Sequence, residues 1–297
     1  MDRLAAMSVF VAVVEAGSFS GAGRRLRMPV PTVSRKVSEL EAQLAARLLT
    51  RTTRKLALTE AGTAYLAACK RILEDVTAAE RGPSGEYQAP RGELAITAPI
   101  VFGRLHVVPI VAEFLQLYPE VNVQLMLVDR SLHLLEEHLD LAIRVGDLPD
   151  STLVATRVGL LRKVVCASPD YLARHGTPRT PQDLANHECV NFSGLTGPEG
   201  WSFGTGREEA PIRIRARLVV NTAEAALDAA MAGVGLTRVL SYQAAAALKA
   251  GALVIVLKKY EPAPLPVSLV YSRQPLLPQK LRVFLDFAAP RLKAQLA

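Results

Sequence analysis

Cysteine and long apolar runs are both scarce in this 297-residue chain. Cys69, Cys166 and Cys189 are odd in number and far apart, which excludes a disulfide framework and a Cys-x-x-Cys metal site. They read as buried thiols. A redox-sensing role stays open, although no basic residue adjoins Cys189 and Cys166 lies in an apolar, strand-like run. No stretch approaches the ~20 apolar residues of a membrane span. Asp2 and Glu15 flank a short mixed segment rather than the apolar core of a signal peptide. The expectation is a cytoplasmic protein with no membrane partner. Catalytic signatures are missing too: there is no Gly-x-Ser-x-Gly elbow or Walker loop, and Gly233-x-Gly235 lacks the rest of a dinucleotide fingerprint. His133, Glu136, Glu137 and His138 form the one His/carboxylate cluster. On a helix its two histidines, five apart, diverge by ~140°, which suits a solvated face better than a metal. No catalytic residue, metal ligand or cofactor is therefore assigned.

Acidic residues are sparse at the N-terminal end. Residues 1–60 hold ten Lys/Arg against five Asp/Glu, a net +5 of the chain's +7. A basic patch of this kind attracts a phosphate polyanion by releasing counterions, giving salt-sensitive affinity without sequence choice. The same segment carries helical patterning. Leu4, Met7, Val11 and Val14 form an apolar stripe on a first helix, and Gly17 ends it. Ser18 or Ser20 can cap a second short helix with Ala22 and Leu26 inward and Arg24, Arg25 and Arg27 outward. Met28-Pro29-Val30-Pro31 is a turn, and Pro31 fits the first turn of a third helix whose buried face is Val33, Val37, Leu40 and Leu44. Thr32, Ser34, Arg35 and Lys36 lie near its start, where a recognition helix meets the major groove. Arginine can donate two parallel bonds to a guanine edge, so Arg35 is the first candidate for base reading. Hydroxyls and Lys36 suit phosphates.

Ser18-Phe19-Ser20, Val33-Ser34-Arg35, Leu40-Glu41, Leu44, Arg47-Leu48-Leu49, Arg51-Thr52-Thr53-Arg54 and Leu58-Thr59-Glu60-Ala61-Gly62 together resemble the winged helix-turn-helix of LysR-type transcriptional regulators. The ordered set is specific although no single piece is. The resemblance implies that Arg51, Thr52, Thr53, Arg54 and Lys55 form a wing at the minor groove or its flanking phosphates. Candidate DNA contacts are these five with Ser18, Ser20, Arg24, Pro31, Thr32, Ser34, Arg35 and Lys36. Two positions depart from the family pattern: Pro29 replaces a small polar cap, and Ala45 replaces a glycine after Leu44.

Thr59 can cap a helix over about 60–80 in which Leu66, Cys69, Leu73 and Val76 recur at three- and four-residue steps. A heptad-like seam argues for pairing with a second copy, and resemblance to the family's dimerising linker helix points the same way. A Pro/Gly-rich stretch from Arg81 to Gly92 marks a boundary. Beyond it, strands near 94–97, 121–128, 141–145, 163–167 and 267–271 alternate with helices near 104–117, 132–138, 168 onward, 223–232 and 278 onward. This is the signature of mostly parallel sheets covered by helices.

Thr97-Ala98-Pro99, Phe102-Gly103-Arg104, Asp140 to Arg144 and Gly233-Val234-Gly235 resemble the family's effector domain, of the type 2 periplasmic-binding-protein kind. The expected organisation is an α/β protein. It has an all-α winged helix-turn-helix over 1–59, a linker helix and hinge over 60–91, and a two-lobed effector domain over 92–297. Lobe I takes about 92–162 and 268–297, and lobe II about 163–267. By analogy the cleft is lined by Thr97, Pro99, Ile100, Val101, Val128, Arg130 and Gly146 on one side and Asn221, Thr222, Gly235 and Thr237 on the other. Free N–H groups at the helix start behind Thr222 suit a small organic anion such as a carboxylate. The implied function is a regulator that binds double-stranded promoter DNA as a homodimer or homotetramer, answers a small effector and can contact RNA polymerase. An α/β enzyme or a small-molecule-binding protein with an interlobe cleft is the alternative.

Overall fold

The computed structural model describes residues 2–51, 56–81, 89–130, 132, 134, 136–149, 151–195, 200–204, 210–274 and 277–296. They fall into two units, Met1–Ala89 and Pro90–Ala297.

The first unit opens with α1 (Arg3–Glu15), capped by the Asp2 carboxylate, which accepts from the Ala5 N–H at 3.2 Å. Its buried face is Ala6, Met7, Val9, Phe10, Ala12 and Val13. The expected stripe of Leu4, Met7, Val11 and Val14 is therefore corrected: Leu4 is exposed, and Val11 and Val14 are half-buried. The helix is apolar nearly all round, so several stripes fit its spacing and only tertiary contact chooses. Ser18 caps α2 (Phe19–Leu26), accepting from Gly21 N–H at 3.1 Å. A Cβ on Gly23 would lie 2.8 Å from the Met28 carbonyl, so this tight turn requires glycine. α3 (Val30–Gln43) follows, burying Val33, Val37 and Leu40, whereas Leu44 is its C-cap and stays exposed. Ala45 and Ala46 N–H groups donate back to Ala42 and Glu41 carbonyls at 3.2 and 3.1 Å, the two closures of a Schellman turn. Ala45 adopts φ 48° to make them.

β1 (Leu49–Arg51) and β2 (Leu56–Leu58) pair antiparallel in the register Leu49 to Leu58. Thr59 joins them to α4 (Glu60–Arg81): its hydroxyl accepts from Gly62 N–H at 2.9 Å and donates to the Arg47 carbonyl at 2.6 Å. Cys69 on α4 is fully buried in the core that holds Phe10, Val13 and Val37, and Tyr65, Leu66, Ile72 and Leu73 pack against that core. This corrects Cys69 as part of an intermolecular seam, because its side chain is already covered by its own unit. Leu66, Leu73 and Val76 are half-buried.

The second unit contains two five-stranded sheets. Lobe I is ordered β4-β3-β5-β14-β6, from β3 (Gly92–Ala98), β4 (Val121–Leu127), β5 (Leu141–Val145), β6 (Leu153–Leu161) and β14 (Leu265–Ser272). Lobe II is ordered β11-β8-β12-β7-β13, from β7 (Lys163–Ala167), β8 (Glu188–Phe192), β11 (Arg215–Val220), β12 (Leu236–Leu240) and β13 (Val254–Val256). β9 (Trp201–Phe203) and β10 (Ala210–Ile212) form a separate antiparallel pair. Each large sheet is mixed rather than mostly parallel. In lobe I, β3, β4 and β5 run parallel, but β14 pairs antiparallel with β5 and β6. In lobe II, β8 runs parallel to β11 and β12, but β7 pairs antiparallel with β12 and β13. The antiparallel pairings arise where the chain crosses to the other lobe and returns.

Helices α5 (Ile100–Phe102) and α6 (Val108–Leu117) are joined by a π turn over Gly103–Val107. The stretch is long and apolar enough to cross a membrane by composition alone, yet Phe102, Ile110 and Phe114 lie in the lobe I core with Phe284. α10 (Gln279–Leu296) covers the same lobe, while α7 (Pro169–His175), α8 (Ala223–Met231) and α9 (Ser241–Lys249) belong to lobe II. The helix expected near 132–138 is corrected. Glu136, Glu137 and His138 form a turn, His138 has φ 54°, and Leu132 and Leu134 are both buried at a spacing no helix face provides. Of the His/carboxylate cluster, His133 lies outside the described residues.

Candidate functional site

The first candidate surface is the start of α3. Pro29 offers no side-chain cap. Thr32 and Val33 N–H groups instead donate to the Pro29 carbonyl at 2.9 and 3.1 Å, and Pro31 has no N–H to leave free. The departure at Pro29 is thus absorbed by the backbone. Burial of Val33, Val37 and Leu40 turns Arg35 outward, while Thr32, Ser34 and Lys36 are half-buried. Arg35 Nε lies 3.8 Å from Glu39 one turn on, both well exposed, a pairing too solvated to hold the guanidinium. Of the other expected contacts, Ser20, Arg24 and Pro31 are exposed, and Ser18 is spent on its capping bond. Arg25 is drawn to Glu15 at 2.6 Å.

Arg51 ends β1, and Thr52, Thr53, Arg54 and Lys55 lie outside the described residues. What positions that strand is a residue the motif contained without a role: the Glu41 carboxylate accepts from Leu48 and Leu49 N–H at 2.8 and 3.0 Å. One carboxylate oxygen thus ties α3 to the start of β1.

The second candidate lies where the two lobes of the α/β unit meet. Val101 leaves lobe I to join the lobe II core with Val190, Phe192 and Ala223. Tyr242 of α9 packs edge-on to Phe102 with centroids 5.6 Å apart and against His106 at 5.5 Å. Pro99 caps α5, and the Ile100 N–H donates to Asp129 Oδ1 at 3.0 Å. Thr222 caps α8, its hydroxyl accepting from Ala225 N–H at 3.4 Å.

The structure gathers Pro99, Ile100 and Val128 at the ends of β3 and β4, with Thr97 buried behind them; Asn221 and Thr222 stand at the start of α8. Three expected lining residues are corrected. Val101 is buried as a pin between lobes. Thr237 is fully buried, its hydroxyl donating to the Val190 carbonyl at 3.0 Å. Gly235 is needed for close packing, because a Cβ there would lie 2.3 Å from the Glu188 carbonyl. Arg130 points outward to Glu137 at 3.8 Å, and Gly146, at φ 112°, donates to the Pro266 carbonyl at 2.8 Å.

Sequence reasoning missed Asp129, Glu224 and Tyr242. Asp129 Oδ2 and Glu224 Oε2 are buried without a hydrogen-bond partner among the described residues. Burial pushes the Asp129 carboxyl up, its bond from Ile100 opposes this, and the Glu224 charge adds to the rise. Tyr242 is pushed above the usual phenol range, chiefly by burial, and both carboxylates add to it. No short motif marks them, since each is one residue from a different element. The thiols are muted: burial pushes Cys69 to about 11 and Cys166 and Cys189 to about 12, far from a reactive thiolate.

A short-turned helix pair with a two-stranded wing, carried with an α/β unit of two mixed sheets, defines a transcriptional regulator with a ligand-type domain. Residues 4–63 match the family model described as bacterial regulatory helix-turn-helix protein, lysR family, and residues 87–293 match the LysR substrate binding domain. The chain belongs to the LysR-type transcriptional regulators. It is 37% identical over 288 residues to an HTH-type transcriptional regulator of Xanthomonas campestris pv. campestris, covering 96% of this chain and 84% of that protein. It is 33% identical to the HTH-type transcriptional regulator CrgA of Neisseria meningitidis serogroup B over 96% of each. Among solved structures, CrgA superposes with a TM-score of 0.62 at 33% identity over 97% of this chain and 98% of that one. Full-length AphB, a virulence activator of Vibrio cholerae, gives 0.60 at 28% identity over 96% and 98%.

Proposed function

We propose that this protein is a cytoplasmic, non-enzymatic regulator that binds promoter DNA as a homo-oligomer and answers a small organic effector at the lobe boundary. The observation that carries the DNA reading is the exposed Arg35 at the start of a helix whose opposite face, Val33, Val37 and Leu40, is buried. Arg35 reads a base edge, Thr32, Ser34 and Lys36 hold phosphates, and Arg51 to Lys55 supply the wing. Leu66, Leu73 and Val76 remain the pairing candidates on α4, without Cys69. The effector changes the lobes' arrangement, and through it DNA geometry or contact with RNA polymerase, only to the extent that it binds the two arrangements unequally.

The anion suggested by the Thr222 helix start is opposed by Glu224 in the same first turn and by Asp129 within its electrostatic reach. A group that donates hydrogen bonds or carries positive charge suits those oxygens better. The DNA reading is tested by full-length protein on DNA from upstream of its own gene and on a scrambled duplex of equal length. The wild type should prefer the native duplex, and Arg35→Ala should lose that preference. Unchanged preference in Arg35→Ala removes the base-reading role.

A further inference from the structure

β6 ends at Leu161 and β7 begins at Lys163, so the first crossing from lobe I to lobe II is the single residue Arg162. The return runs from Glu261 to Pro264, between a 3-10 turn (Lys258–Tyr260) and β14. The two crossings lie side by side, because β6 and β14 pair antiparallel as far as Leu161 and Leu265. A one-residue crossing offers few soft torsions about which the lobes can turn, chiefly φ and ψ at Arg162. In the return, Pro262 and Pro264 fix their own φ, and Pro262 is buried. Hinge freedom is thereby concentrated at Arg162.

That residue is held through its backbone and its side chain. Its carbonyl accepts from the Ser241 N–H at 2.8 Å, and its Nη1 donates to both oxygens of Glu261, at 3.0 and 3.3 Å. The ion pair joins one crossing to the other. The Glu261 side chain is 13% exposed against 47% for Arg162, and among the described residues no other cation pairs with it. A carboxylate so covered is screened less than one on open surface and is costly to leave unpaired. Turning the backbone at Arg162 swings its guanidinium away from Glu261, so the pair opposes that motion. Ser241 begins α9, and Tyr242 beside it packs on Phe102 and His106 of lobe I with centroids 5.6 and 5.5 Å apart. The hinge residue is thus bonded to the helix turn that carries the aromatic contact between lobes. We propose that Arg162 and Glu261 are a positioning pair that clamps the hinge: their ion pair holds the two crossings in one twist and so sets the angle between the lobes that an effector must change.

The clamp rests on reading the lobe arrangement as what the effector alters, so it is tested on full-length protein without effector or DNA. Spin labels at Glu120→Cys and Lys249→Cys, both exposed and on opposite lobes, report the interlobe distance by electron–electron double resonance. The native cysteines are buried, and dilution with unlabelled protein suppresses signals between subunits. With the native pair the distance distribution should be narrow. Glu261→Gln, which keeps the shape and removes the charge, should broaden or shift it, and Arg162→Glu should displace it further. Exchanging the charges, Arg162→Glu with Glu261→Arg, should bring it back toward the native distribution, a recovery that loss of packing alone would not give. Should Arg162→Glu fail to fold, Glu261→Gln and the exchanged pair carry the test. A Glu261→Gln distribution that superimposes on the native one, or an exchanged pair no closer to it than Glu261→Gln, overturns the clamp. Because DNA preference is measured separately, failure here leaves the regulator reading standing.

Discussion

At the scale of single residues, α3 and the turn that ends it carry three separate roles. Arg35 faces solvent, Glu41 holds the wing strand by two N–H bonds, and Ala45 closes the helix in a left-handed conformation. Glu41→Ala should destabilise the DNA-binding unit by about 2 kcal/mol, since two backbone donors lose a charged acceptor; urea unfolding of the full chain measures it. Ala45→Gly should act in the opposite direction, gaining roughly 0.5–1 kcal/mol, because glycine adopts positive φ without the Cβ penalty although it loosens the unfolded chain. Arg35→Ala should lower discrimination against a wrong base by about 1–3 kcal/mol while leaving the unfolding midpoint unchanged. Paired fluorescence anisotropy and urea curves separate these effects.

At the scale of elements, legibility tracked how many independent signals each segment carries. α2 and α3 have a serine cap and a turn with two prolines, so their existence and most of their inward side, Ala22, Val33, Val37 and Leu40, could be read, whereas Val30 begins α3 rather than ending the turn and Leu44 is exposed at its C-cap. α1 is apolar nearly all round, and its buried face depended on contacts with α3 and α4 that no spacing records. The segment around 132–138 misled for the reverse reason, because Leu132 and Leu134 are buried although neither lies in a helix. Cys69 fitted a heptad seam yet fills the core of its own unit, since a helix that packs on a neighbour carries the same periodicity as one that packs on a copy of itself. Sedimentation of full-length protein tests the remaining pairing residues: Leu66→Asp together with Val76→Asp should shift the oligomer toward monomer. An unchanged oligomer would place the interface elsewhere.

For the whole molecule, the division into a basic N-terminal unit and an α/β unit was visible in charge and motif order. The lobe boundary was visible only in part. Pro99, Ile100 and Thr222 were placed there by resemblance, whereas Asp129 and Glu224, each with a buried oxygen that has no hydrogen-bond partner among the described residues, were not. They come from different elements far apart in the chain, and no local motif marks either. Thr237 shows the converse error: a strand threonine looks like a ligand donor until its hydroxyl is found bonded to the next strand.

The charge balance makes the most direct test. With +5 of the chain's +7 in its first 60 residues, binding should be strongly salt-dependent, and each phosphate contact should contribute about 0.9 to the slope of log K against log salt. The measurement is a salt titration of the full-length protein on its own upstream DNA and on a scrambled duplex. A regulator predicts two steep lines of similar slope with the native duplex held above the other throughout, and Arg54→Ala lowering the slope of both. Superimposed lines would show phosphate attraction without sequence reading, and flat lines would contradict DNA binding itself.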